Sequence, residues 1–228
     1  GDPTARITDG TCDGPLECRK AVRFQYKLGA DVIKFTSTGG FGSNTGLDPQ
    51  LFPDEIEAIV STAHLHGLKA AAHAYSPVAI KDAVRAGVDS IEHGFLLDDE
   101  GIRMMAEKGT FLVPTIYVGD YYTEGDKLRA QDKQDDYAAN ELDLMVGFGM
   151  TPMDALRSAT VVTADLFGIS AEAGTLEAGK LADVVAVKGD PLDQISVMRQ
   201  IDFVMKSGRV AKRDGAMTEP FAYPAGFE

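Results

Sequence analysis

The sequence predicts an α/β fold, part of a (β/α) barrel, followed by a small β-rich module. Three observations carry this. Helical stripes alternate with short apolar runs, a glycine marks each helix-to-strand junction, and beyond Gly174 the style changes to paired strands. The repeating unit spans Tyr26 to Thr36, Leu65 to His73, Arg85 to His93 and Glu107 to Thr115. Its junction glycines are Gly29, Gly67, Gly87 and Gly109, as suits the left-handed residue that ends a helix. The apolar runs that follow are short, as in strands covered on both faces. Repeats of roughly 20 residues also suit a solenoid. Here the units share nothing beyond the glycine and their loops differ in length, which favours a barrel.

The elements follow in order. Pro53 opens a helix with Ile56, Ile59, Val60 and Ala63 on one face. Ser76-Pro77 caps and opens the next, with Ile80, Ala83 and Val84 inward. Asp98 and Asp99 precede a third, with Ile102, Met105 and Ala106 inward. From Gly119 to Asn140 the chain is polar and charged, and no strand stands out. A helix resumes at Thr151-Pro152, with Met153, Leu156, Ala159 and Thr160 on one stripe, and ends at Gly168. Leu181 to Val187 reads as a strand and Gly189-Asp190-Pro191 as a turn. Ile201 to Met205 and Arg209 to Lys212 read as a hairpin around Ser207-Gly208. Residues 1–173 are therefore assigned to the partial barrel and 174–228 to the β-rich module.

Composition narrows the function. Against 22 Lys and Arg stand 35 Asp and Glu, a net charge of −13 over 228 residues. Such a balance opposes nucleic acid and anionic membranes as partners. No apolar run reaches membrane-spanning length. The start, Gly1-Asp2-Pro3-Thr4, is polar and unlike a signal peptide, although without a Met a signal removed upstream stays compatible. Cys12 and Cys18 are too few for a disulfide scaffold or a zinc knuckle, and are expected to be ordinary thiols. The cytoplasm is favoured on these grounds.

In a barrel the active site lies at the C-terminal ends of the strands. Counting from each glycine, those positions hold Lys34, His73, His93 and Thr115. Two imidazoles and a lysine emerging at one level suggest a metal site, since neutral imidazole is a good zinc ligand. Lys34 lies within the apolar run Val32-Ile33-Lys34-Phe35, and burying an ammonium is costly. Carbamylation would turn it into an anionic ligand able to bridge two metal ions. His64 and His66 sit in a last helical turn, where a partly cationic ring suits the helix dipole, and are read as structural. Thr38 to Gly46 is glycine-rich but lacks a Gly-Lys-Ser/Thr ending, so it is read as a mobile loop over the site. The acidic run from Asp120 to Asp136 is read as a solvated face, and there is no serine nucleophile elbow.

Five segments together resemble the amidohydrolase superfamily, in its imidazolonepropionase-like and prolidase-like (Xaa-Pro dipeptidase) branch. They are Gly29 to Gly40, Ala72-His-Ala-Tyr75, Ser90-Ile-Glu-His-Gly94, Gly149 to Thr160 and Gly174 to Val185. The resemblance implies a TIM-like (β/α)₈ metal-dependent hydrolase barrel with a small β-sandwich and two divalent ions, usually zinc. Lys34 would match the carboxylated bridging lysine of the family's fourth strand. His73 and His93 would match the ligands of strands five and six. Tyr75 would match a tyrosine that meets the substrate carboxylate.

The chemistry implied is attack of metal-activated hydroxide on amide C–N bonds in dipeptides or N-acyl amino acids. Cyclic amides, as for an imidazolonepropionase, are the second reading within this class. Two family features have no counterpart. No His-X-His pair precedes Lys34, and Tyr137-Ala-Ala-Asn140 runs almost directly into a helix where the Gly-Thr-Asp of strand eight belongs. Asp120 is the nearest carboxylate, and the catalytic aspartate is assigned to no residue. A (β/α)₈ barrel takes about 250 residues by itself, so a truncated copy with part of its site is expected. A different class, a non-catalytic barrel fragment that binds or assembles with a partner, fits the same deficit. A homo-oligomer is expected by analogy.

Overall fold

The computed structural model describes residues 10–40, 45–116 and 137–218. The loop tip at 41–44 and the acidic run with Asp120 lie outside the described residues. The chain divides into two compact units, Gly1–Thr115 and Ile116–Glu228. The expected boundary at 173/174 falls inside the second.

The first unit alternates helix and strand: α1 (Pro15–Lys27), β1 (Val32–Thr36), α2 (Pro53–Leu65), β2 (Lys69–Ala74), α3 (Pro77–Arg85), β3 (Ser90–His93), α4 (Asp99–Lys108) and β4 (Phe111–Val113). The strands form one parallel sheet in the order β1-β2-β3-β4. In-register partners include Lys34 with Ala71, Thr36 with His73 and His73 with Glu92. All four junction glycines have positive φ, between 71° and 89°, as the helix-stop reading requires. Among the described residues the sheet does not close into a barrel.

One sheet face packs on the helices. Ile33, Phe35, Ala70, Ala72, Ala74 and Ile91 share a core with Ile56, Ile59, Val60, Ala63, Ile80, Ala83 and Val84. Each such fully buried Ile or Val contributes about 1.5–3 kcal/mol. Alanines on β2 let the helices approach the sheet closely. The opposite face carries Val32, Lys34 and Thr36, all exposed. Lys34 is therefore not buried, because strand alternation turns it away from the core that takes Ile33 and Phe35. The burial argument for its carbamylation falls with that.

Three expectations for this unit are corrected. Cys12 and Cys18 are joined in a disulfide. Pro15 starts α1 immediately after the Cys12 loop, so the first helical turn carries Cys18 back over it, with the Cα atoms 4.9 Å apart. The cysteines thus give no support to a reducing compartment. In α4, Gly101 and Met105 are buried, which leaves Ile102 and Ala106 exposed one position further around the helix. Ser76 precedes α3 without a side-chain capping bond. Asp98 does cap α4, accepting from the Gly101 N–H at 2.8 Å. Glu55 joins two helix starts, accepting from the N–H groups of Phe52 and Gly14 at 2.7 Å each.

Within the described residues of the second unit, α5 spans Tyr137–Gly147. α6 (Pro152–Arg157) begins at a Thr151 cap that accepts from the Asp154 N–H. A π-helical turn (Ser158–Val162) then leads into α7 (Thr163–Leu166). The Thr163 hydroxyl donates to the Ser158 carbonyl five residues back at 2.6 Å, which supports that wider turn. Of the expected stripe only Leu156 packs on a core, beside buried Ala155, while Met153, Ala159 and Thr160 are exposed.

An antiparallel sheet follows, β5 (Val184–Val187), β6 (Ile201–Lys206), β7 (Arg209–Arg213) and β8 (Ala216–Met217), in that order. The hairpin turns at Ser207 and Gly208, with φ of 49° and 78° as a two-residue primed turn needs. A 3-10 turn (Ile195–Arg199) packs on α5, where Leu142, Ala155 and Ile195 form a second small core. No helix of the described residues is long and apolar enough to cross a membrane.

Candidate active site

The C-terminal ends of β2 and β3 bring three of the predicted residues together. The His73 and His93 rings lie 4.7 Å apart, edge to face. Tyr75 stands 4.7 Å from His73 and 5.3 Å from His93, and Phe95 completes the ring cluster at 5.1 Å from Tyr75. His73 lies on the face of β2 opposite the helix-packed core, with Thr36 and Glu92 as its neighbours across the sheet. His93 joins that cluster by a backbone device: its φ is 73°, so the chain turns left-handed at the end of β3. Thr115, two residues past the end of β4, has a φ of 49°. Non-glycine residues in this region store about 1–3 kcal/mol each and persist where surrounding contacts hold them. His93 Nδ1 shares a 2.5 Å hydrogen bond with the Thr115 hydroxyl.

The loop after β1 closes the cluster from one side. Ser37 and Thr38 are buried. The Ser37 N–H donates to the His73 carbonyl at 2.9 Å, and the Tyr75 N–H to the Thr38 hydroxyl at 3.1 Å. Thr38 also bridges to Pro49, so the loop is anchored at both ends around its glycines. The Gly39 carbonyl lies 3.4 Å from His73 Nε2. At Gly40 a Cβ would stand 2.9 Å from His73 Cε1, so only glycine lets the ring sit where it does.

Electrostatics favour neutral imidazoles. Burial pushes His93 down to about 4, helped by His73 and Lys34. Burial likewise lowers His73; the Gly39 carbonyl opposes this and Lys34 reinforces it. A neutral ring offers a lone pair, which is what a metal ligand needs. Among the described residues no group of three or more His, Cys, Asp or Glu is placed to hold a metal ion. The donors present are therefore two imidazoles, with Lys34 exposed on the sheet face opposite the helix-packed core. That set fits part of a metal site.

His64 and His66 lie elsewhere and are structural, through particular partners. His64 Nε2 meets the Asp89 carboxylate at 2.8 Å, and His66 stacks on Tyr26 at 4.3 Å. The residue that sequence reasoning left without a role is Thr115. Its strand-end position was visible; its hydrogen bond to His93 was not.

Comparison with known proteins decides the family. The amidohydrolase family model matches residues 3–139 and 137–211. The chain belongs to the amidohydrolase family. Among its relatives is the ochratoxinase of Aspergillus niger, 30% identical over 244 residues, covering 89% of this chain and 51% of that protein. The imidazolonepropionase of Sphingopyxis alaskensis is 32% identical over 168 residues, covering 63% and 41%. The solved structure of a Xaa-Pro dipeptidase with bound methionine in its active site superposes with a TM-score of 0.83 at 36% identity, covering 92% of this chain and 61% of that one. The crystal structure of the ochratoxinase gives a TM-score of 0.76 at 28% identity, covering 89% and 55%. This amidohydrolase chain thus spans about half the length of the curated relatives it matches. Its place in the imidazolonepropionase-like and prolidase-like branch holds, and such neighbours carry a TIM-barrel-like fold.

Proposed function

We propose that this amidohydrolase is a metal-dependent hydrolase of amide bonds in small carboxylate-bearing substrates, dipeptides or N-acyl amino acids. The observation that carries the proposal is the convergence of His73 and His93 at 4.7 Å, with both rings held neutral. His73, His93 and Lys34 would hold a divalent ion, zinc by the preference of imidazole ligands. Bound there, it would supply Lewis acidity for polarising a carbonyl and activating water. Lys34 as a carboxylated ligand, and a two-ion centre, belong to the same proposal.

Tyr75 is assigned to the substrate carboxylate, beside both imidazoles. Phe95, next to Tyr75, supplies an apolar wall for the substrate side chain. In this reading residues 1–173 carry the barrel portion and 174–228 the β-rich support. Similarity to a Xaa-Pro dipeptidase favours dipeptides; similarity to imidazolonepropionases supports cyclic amides as the second reading.

The test is zinc content and affinity of the protein in its complete reading frame, with a panel of dipeptides, acyl amino acids and cyclic amides. His73→Ala and His93→Ala should each weaken zinc binding at least about 10-fold and remove hydrolysis. Wild-type zinc content in either variant would overturn the ligand assignment.

A further inference from the structure

We infer that Thr115 is a positioning residue that fixes the tautomer and orientation of the His93 ring. The inference rests on the reading of His93 as a metal ligand, and it follows from counting one hydrogen. The Thr115 hydroxyl makes two contacts, to the Pro114 carbonyl at 2.8 Å and to His93 Nδ1 at 2.5 Å. The Pro114 carbonyl only accepts, so as a hydrogen bond that contact takes the single hydroxyl hydrogen. Thr115 Oγ1 must then accept at His93, and Nδ1 carries the ring proton. The remaining lone pair is on Nε2, the nitrogen not engaged by Thr115. An unanchored imidazole would exchange tautomers and present that lone pair only part of the time.

The backbone supports the same pairing. His93 ends β3 and Thr115 lies two residues past its parallel neighbour β4, and both have positive φ, at 73° and 49°. For a β-branched residue such as threonine this is an outlying conformation. The two left-handed turns bring the side chains of adjacent strand ends face to face, and the hydrogen bond joins them. Strain of this kind is held in place where it serves a site. Ligand-orienting partners of this type typically change metal affinity about 10- to 100-fold when removed.

The experiment uses the full chain with ¹⁵N-labelled histidine at pH 7.5, without and then with zinc. Long-range ¹H–¹⁵N spectra of the metal-free protein should show His93 protonated on Nδ1. Thr115→Ser, which keeps the acceptor, should preserve that signal and the zinc affinity. Thr115→Val should lose the fixed tautomer and bind zinc about 10- to 100-fold more weakly. Thr115→Ala replaces it if the valine variant does not fold. Protonation on Nε2 in the wild type would overturn the inference. So would a valine or alanine variant with the wild-type tautomer and zinc affinity. If the wild type binds no zinc, the proposed function fails, while the metal-free ring spectra still decide the role of Thr115.

Discussion

At the scale of single residues the site depends on small groups beside the imidazoles as much as on the imidazoles. Gly40 is the clearest case. Its missing side chain is the space that the His73 ring occupies, with a hypothetical Cβ 2.9 Å from Cε1 and 3.0 Å from Nε2. Gly40→Ala should push the ring off its position while leaving the helix-facing core intact. Isothermal titration should show zinc affinity lower by about 10-fold, as for other loosened ligand supports. An unchanged affinity would show that the ring can move without cost. The histidines were legible because each stood at a fixed step from a junction glycine. Gly40 was visible only as part of a loop, since its use depends on what another strand brings next to it.

At the scale of elements, Asp89 ties the N-terminal ends of two strands together. Its carboxylate accepts from Lys69 Nζ and the Ala70 N–H at 2.8 Å each, and also meets His64 Nε2. Partial burial alone would raise its pKa; Lys69, the Ala70 N–H and His64 outweigh that and hold it below the usual carboxylate value. The sign then follows. Between the folded pKa and the unfolded one, about 3.9, the unfolded chain binds more protons. The stabilisation is therefore complete above about pH 4 and is lost as pH falls through the folded value.

Asp89→Ala should cost about 1–3 kcal/mol at pH 7, because the Ala70 N–H loses its acceptor. Denaturant melts should show the gap between variant and wild type shrinking below pH 4. The Ala70 N–H part of the gap persists there, since a protonated carboxyl still accepts; a gap of unchanged size would refute the charge assignment. His64 was assigned to a helix dipole from its position in a last turn. The carboxylate that holds it comes from a residue 25 positions on, beyond the reach of local sequence.

At the scale of the whole molecule, two units carry cores of different size. The large core of buried apolar residues lies within Gly1–Thr115 and the small one within Ile116–Glu228. The Cys12–Cys18 disulfide belongs to the first. Closing a loop this short restricts the unfolded chain by about 2 kcal/mol in the loop-entropy account. Reduction should therefore lower the stability of the first unit by about that amount and leave the second unchanged. Hydrogen exchange followed by mass spectrometry separates the two. Equal loss of protection in both units would show that they unfold as one.

The sequence by itself determined the order of elements in the first unit, the helix stops at the four glycines, the hairpin at Ser207-Gly208 and the family. The first three rest on local conformational preference or on periodic burial, which neighbouring residues encode; the family rests on the resemblance of five segments taken together. Tertiary structure decided the pairing of Cys12 with Cys18, the exposure of Lys34, the rotation of α4 that buries Met105 but not Ile102, and the bond from Thr115 to His93. Each depends on which groups from distant positions meet across a strand or a loop. Spacing along one chain does not contain that information; packing supplies it.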